Sequence, residues 1–261
     1  MIDPTRSDPT RSSHYATGPA GASALTPSSA VAPHAPRPLA ALLRLLLAAA
    51  AVTGIALEIT LATDLPRLAS YFTIQSNAAL AVCATWSAYR TATGRRPVSP
   101  RITGAVLLYI VITGLVYHLV LAGDATHSAM TGTAARGTTG TIANHLLHTV
   151  TPLAAVLDWL FLTAPRHLRL RHTWQWLAYP LLYLAFALVR GALITPGTDG
   201  RYPYPFLDVE SHGYLAVLLH AVLYGLAFFA LALVLLAIDQ FRPAPPRPGY
   251  RISRSRIGPL K

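Results

Sequence analysis

Cysteine and charge are what this chain of 261 residues has least of. A single cysteine, Cys83, excludes an internal disulfide framework and any cysteine-based zinc cluster. Charged residues make up 12% of the chain, against roughly 25% in an average globular protein. A surface so short of charge cannot face water on all sides, and with 53% hydrophobic residues the composition points to a membrane protein. Acid is scarcer than base: 10 Asp+Glu against 21 Lys+Arg leave a formal net charge of +11. There is no basic–aromatic interleaving and no nucleic-acid motif, so the excess base is not read as a nucleic-acid footprint.

What is present is a series of apolar runs. A bilayer core of about 30 Å requires about 20 apolar residues in a helix. Six stretches meet that length: Leu39–Leu61, Tyr71–Tyr89, Ile102–Ala122, Ala143–Thr163, Trp174–Ile194 and Tyr214–Ile238. The expected fold is therefore all-α, a polytopic membrane bundle of six transmembrane helices. Trp174, Trp176, Tyr71 and Phe72 stand at span ends, where amphipathic rings favour the interface.

The positions of the basic residues set the orientation. All but five of the 21 Lys and Arg lie in the two tails and in the second and fourth connections. The other connections carry only Arg67, Arg136 and Arg201, while Arg44 and Arg190 fall inside spans. By the positive-inside tendency both termini are cytoplasmic, and the protein belongs in the cell membrane as a multi-pass chain.

The domain plan has three parts. Residues 1–38 are rich in Ala, Pro, Ser and Thr, with Asp-Pro-Thr-Arg-Ser repeated from Asp3 and Asp8, and are expected to be disordered. Residues 39–239 form the membrane domain. Residues 240–261 are a basic Pro/Arg-rich tail, either topogenic or a contact for anionic headgroups. No cleavable signal peptide is expected, because the first apolar run is already span-length.

Polar residues inside or beside the spans carry the functional information, since an ionisable group in hydrocarbon costs several kcal/mol unless paired or solvated. They are biased toward the outer half: Glu58, Thr73, Asn77, His118, Asn144, His145, His148, Arg190, His212 and His220, against Arg44 and Asp158 in the inner half. The pattern predicts a polar vestibule opening outward. Spans 2, 4 and 6 would begin there, so their free N–H groups would favour a carboxylate or a developing oxyanion.

Two segments stand out. In Tyr71-Phe72-Thr73-Ile74-Gln75-Ser76-Asn77, Thr73 and Asn77 share a helix face at i and i+4. In Asn144-His145-Leu146-Leu147-His148-Thr149, followed by Pro152, Asn144 and His148 share a face and His145 flanks it. A hydroxyl beside a histidine is the minimal nucleophile–base pair. The same residues also serve as interhelical hydrogen bonds in membrane bundles. Both readings stay open on spacing alone.

Together with Tyr202-Pro203-Tyr204-Pro205-Phe206-Leu207-Asp208 before span 6, these segments resemble the bacterial proline-rich six-transmembrane family. That group is similar to the androgen-induced and androgen-dependent membrane threonine hydrolases, which cleave fatty acid esters of hydroxy fatty acids. The resemblance implies a Thr73 nucleophile assisted by His148, acting on a hydrophobic lipid ester. This chain departs from the hydrolases after the threonine, where Ile74-Gln75-Ser76-Asn77 stands in place of a more apolar stretch with an acidic residue. Asn77, Asn144, His145, Arg190, Tyr204 and Phe206 are the expected supporting or substrate-binding residues, with membrane lipids as partners and no cofactor or metal. Arg190 either holds a fatty carboxylate or pairs with Glu58 or Asp208, and Tyr202-Pro203-Tyr204-Pro205-Phe206, stiffened by its two prolines, is either a lid or an interfacial anchor. Two other readings compete: a His-ligated metal or haem protein using His118, His145, His148 and His220, and a transport-type or non-enzymatic bundle.

Overall fold

The computed structural model describes residues 35–122 and 137–243. The expectations for the two tails therefore lie, almost entirely, outside the described residues. Among those described, the chain is helical without strands. The order is α1 (Pro38–Leu61), α2 (Leu65–Ala69), α3 (Phe72–Ala92), α4 (Pro100–Val116), α5 (Gly137–His145), α6 (Thr151–Leu157), α7 (Leu170–Leu193) and α8 (Val209–Phe241). A five-residue π-helical turn, Tyr117–Leu121, prolongs α4; a second, Leu146–Val150, joins α5 to α6; a third, Asp158–Leu162, prolongs α6.

Five of these helices are long and apolar enough to cross a membrane by length and composition: Pro38–Leu61, Pro100–Leu121, Gly137–Leu162, Leu170–Leu193 and Val209–Phe241. They mark the chain as a membrane protein. The expected second span, α3, is a helix of 21 residues but is not among the five. Its first two turns carry Thr73, Gln75, Ser76 and Asn77, polar residues that lower its mean hydropathy.

Helix starts follow from local chemistry. Proline occupies the first turn of α1, α2 and α4, where its missing N–H costs nothing. Asp64 caps α2 by accepting the Arg67 amide at 3.0 Å, and Ser99 caps α4. Asp208 caps α8 through the Glu210 amide at 2.9 Å. The π turn at Leu146–Val150 has an evident cause. Pro152 has no N–H for the His148 carbonyl, and its ring would collide with that oxygen in a regular helix. Widening the helix, so that the Thr151 amide reaches back to the Leu146 carbonyl, relieves the clash.

Helix α1 packs most extensively against α3, and also against the α5–α6 rod. Ala48, Ala51 and Gly54 are buried on α1, small residues that let backbones approach closely. A Cβ on Gly54 would lie 2.6 Å from Leu147 Cδ2, so α1 presses directly on the π turn. Across α3, α4 and α7 the core is aromatic: Phe72, Tyr109, Tyr179 and Tyr183 pack with centroids 4.8–6.2 Å apart. Tyr71 and Phe72 are buried against these rings and their neighbours. Trp176 is buried too, donating to the Arg101 carbonyl at 2.9 Å and filling the space beside Gly104, whereas Trp174 is exposed.

The end of the bundle away from Thr73 is fastened by charge. Arg44 donates to Asp158 at 2.8 Å and also to Thr91, so the two ionisable residues of the expected inner half form one pair. Asp239, buried, accepts the amides of His167 and Leu168, each at 2.9 Å, and the Arg242 guanidinium at 3.2 Å. Asp158 and Asp239 thus both have charge-assisted partners, as desolvation demands.

Candidate active site

Thr73 sits in the first turn of α3, and His148 in the π turn between α5 and α6. Both are buried, and Thr73 Oγ1 lies 3.2 Å from His148 Nε2. The other ring nitrogen, His148 Nδ1, is 3.1 Å from the backbone carbonyl of Asn144. A carbonyl can only accept, so Nδ1 carries the hydrogen. In the neutral ring Nε2 is then the acceptor for the Thr73 hydroxyl. The Asn144 carbonyl thereby plays the orienting part that a third residue plays behind any hydroxyl–imidazole pair.

The imidazole is held from the side as well. Tyr117 stacks on it with centroids 4.2 Å apart and planes 26° from parallel. The Asn144 side-chain amide donates to the Tyr117 hydroxyl. Tyr117, which lies in the π turn after α4, is the residue of this site that sequence reasoning passes over. Beside His118 it looks like one more aromatic at a span end, and only its stacking gives it a role.

Asn77 lies one turn along α3 and is fully buried. Its amide nitrogen donates to the carbonyls of Thr73 at 2.9 Å and Leu147 at 3.2 Å, and its oxygen accepts the Thr151 hydroxyl at 2.7 Å. With those bonds committed, Asn77 ties α3 to the rod that carries His148 and has no donor left for a substrate. Ser76 and Thr113, bonded at 2.7 Å, tie α3 to α4 in the same way.

The segment before α8 reaches over the pair. The Tyr204 hydroxyl lies 3.5 Å from Thr73 Oγ1 and 3.4 Å from the Thr73 amide nitrogen, which donates to it. Burial pushes the Tyr204 phenol up to about 12, its hydrogen bonds with Thr73 opposing the rise, so it stays protonated and able to donate. Phe206 stacks on Tyr204 at 5.2 Å, and Tyr71 meets it edge-on at 5.6 Å.

The remaining candidates stand apart. His145 is exposed. Arg190 donates to the carbonyls of Gly200 at 3.2 Å and Arg201 at 2.7 Å, shaping the connection that leads to Tyr204. Asp208 is engaged as the α8 cap. His118 is bonded to Thr149 at 3.0 Å, and His220 lies beside His212 and Tyr224. Among the described residues no three His, Cys, Asp or Glu side chains come together as a ligand set. The site accordingly unites Thr73, His148, Asn144 and Tyr204, with Asn77 and Phe206 behind them. No family model, curated protein or solved structure matches the chain.

Proposed function

We propose that this protein is a six-span membrane protein with both termini in the cytoplasm, and that it hydrolyses a lipid ester with Thr73 as nucleophile and His148 as base. The observation that carries this reading is the 3.2 Å contact between Thr73 Oγ1 and His148 Nε2, with Nδ1 bonded to the Asn144 carbonyl. A hydroxyl, an imidazole in the accepting tautomer and a group that fixes that tautomer are the parts a hydroxyl nucleophile needs. The sixth span is α3, whose polar start faces the site while its other end is held near α1 at Thr91 and Arg44. The concentration of Lys and Arg in the tails and the second and fourth connections supports the orientation, which puts the pair in the outer half.

In the reaction, Thr73 Oγ attacks the ester carbonyl carbon while its proton passes to His148 Nε2. The tetrahedral intermediate collapses, the ester C–O bond breaks, and the departing alkoxide takes the proton from His148. Water then attacks the acyl-threonine, giving a proton to the same nitrogen. The fatty acid leaves and Thr73 regains its hydrogen. A substrate with long apolar arms dissolves in the bilayer and approaches laterally, so the site needs no aqueous channel across the membrane. General-base assistance of this kind is worth about 10²–10⁴ in rate.

The test is covalent labelling of the purified protein with an alkyl fluorophosphonate. The native protein is labelled, Thr73→Ala is not, and His148→Gln is labelled at least about 100 times more slowly. Labelling that persists in Thr73→Ala overturns the assignment.

A further inference from the structure

The hydrogen bonds around Thr73 leave one donor pointed at the reacting centre. Thr73 gives its own hydroxyl hydrogen to His148, so between Thr73 and Tyr204 the phenol is the donor, across 3.5 Å. The phenol oxygen in turn is held by the Thr73 amide at 3.4 Å, at the N-terminal end of α3. Of the other nearby amides, Asn77 gives both hydrogens to backbone carbonyls, and Asn144 gives one of its two to the Tyr117 hydroxyl and does not bond to Thr73.

We infer that Tyr204 is a catalytic residue that donates its phenolic hydrogen to the oxyanion formed when Thr73 attacks an ester; the inference rests on the hydrolase reading. The carbonyl oxygen of an acyl group bonding to Oγ is separated from it by the carbonyl carbon alone. A donor already next to Oγ is therefore close to where the oxyanion develops, and a small rotation of the phenol brings it within the roughly 2.7–3.1 Å at which such donors act. Electrons balance without any further reagent. The C=O pair moves onto oxygen as the Oγ–C bond forms, Tyr204 bonds to that oxygen without giving up its proton, and the pair returns when the alkoxide leaves. The helix α3 amide strengthens the donor by pulling on the phenol oxygen, as a helix N-terminus favours negative charge on its ligand.

The placement also gives the Tyr204-Pro205-Phe206 segment a task beyond covering the site. Proline on either side, Pro203 and Pro205, restricts the backbone, and stacking on Phe206 and edge contact with Tyr71 hold the ring, so the hydroxyl is pre-positioned. An oxyanion donor is effective because it is already in place when charge appears.

Tyr204→Phe keeps the ring and its stacking and removes the hydroxyl, both the donor and the acceptor of the Thr73 amide. In the full-length protein in detergent, kcat for a long-chain activated ester falls about 100-fold while KM changes less than about threefold. Affinity for an alkyl trifluoromethyl ketone, which forms a tetrahedral adduct on the nucleophile, falls by the same factor, and affinity for the corresponding alkyl alcohol is unchanged. Tyr204→3-fluorotyrosine, with a stronger donor on the same ring, binds the ketone more tightly than the native protein, a readout independent of any loss of fold in Tyr204→Phe. Native turnover with Tyr204→Phe within threefold of it, or ketone affinity that ignores both substitutions, overturns the Tyr204 assignment and leaves the Thr73–His148 pair standing. A native protein that neither turns over ester nor is labelled at Thr73 overturns the pair, and the Tyr204 role with it.

Discussion

Asn77→Ala tests the way the site is built. Asn77 makes two bonds between α3 and the rod carrying His148, Nδ2 to the Leu147 carbonyl at 3.2 Å and Thr151 Oγ1 to Oδ1 at 2.7 Å. Inside a membrane each such bond is worth about 0.6–1.7 kcal/mol. Its third bond, to the Thr73 carbonyl, is within α3 and adds little between helices. The partners are not stranded by the substitution: Thr151 still reaches the Leu147 carbonyl at 3.2 Å, and the Thr73 carbonyl still accepts from Ser76 at 3.1 Å. The cost therefore falls near the sum of the two interhelical bonds with a small cavity term, about 2 kcal/mol. The assay is reversible unfolding in mixed micelles by increasing SDS, followed by tryptophan fluorescence. Thr151→Ala costs about 1 kcal/mol alone, and the double variant costs less than the two together by at least about 0.5 kcal/mol. A loss under about 0.5 kcal/mol for Asn77→Ala, or strict additivity with Thr151→Ala, would refute the claim that this residue locks the two site-bearing helices together.

Three further outcomes are expected. Gly54→Ala sets a methyl 2.6–2.8 Å from the buried Leu147 side chain, so overpacking costs about 1–3 kcal/mol and slows fluorophosphonate labelling by displacing the π turn; unaltered melting and labelling would contradict the close approach of α1. Arg44→Leu strands the half-buried Asp158 carboxylate and costs about 3 kcal/mol, most of it recovered in Arg44→Leu/Asp158→Leu, and SDS unfolding of the single and double variants checks this. Burial raises the Asp208 carboxyl, but the Ser211 hydroxyl and the Glu210 and Ser211 amides outweigh it and hold the group below its usual range. A folded-state pKa below the unfolded one stabilises above the unfolded pKa and fades as pH falls through the folded value. Native protein should therefore lose more stability than Asp208→Asn between about pH 5 and pH 3, while Asp208→Ala loses about 1 kcal/mol of capping at neutral pH; melting against pH measures both.

Much of the bundle is legible in the sequence because hydrophobic length is a coarse signal. The helices at Pro38–Leu61, Phe72–Ala92, Pro100–Leu121, Leu170–Leu193 and Val209–Phe241 start and end within about five residues of the apolar runs. What the runs do not encode is which ring turns inward. Trp176, Tyr71 and Phe72 stand at span ends by position, yet all three are buried in the protein, Trp176 in room that Gly104 leaves open. At the site, Thr73, His148 and Tyr204 are legible as motif residues, and the structure brings them together. Tyr117 and the Asn144 carbonyl are not legible, because stacking and a backbone acceptor leave no mark on composition or spacing. The π turn that aims His148 lies between these cases. Pro152 signals that something must give, but only packing against Gly114 and Gly54 decides how it does so.

The most direct test of the account is to trap the acyl intermediate. Full-length protein mixed with an activated long-chain ester, quenched in acid within the first turnover and digested, should carry one acyl group on the peptide containing Thr73, and none in Thr73→Ala. An acyl group on any other residue, or steady hydrolysis with Thr73 never acylated, would contradict the assignment of Thr73 as the nucleophile.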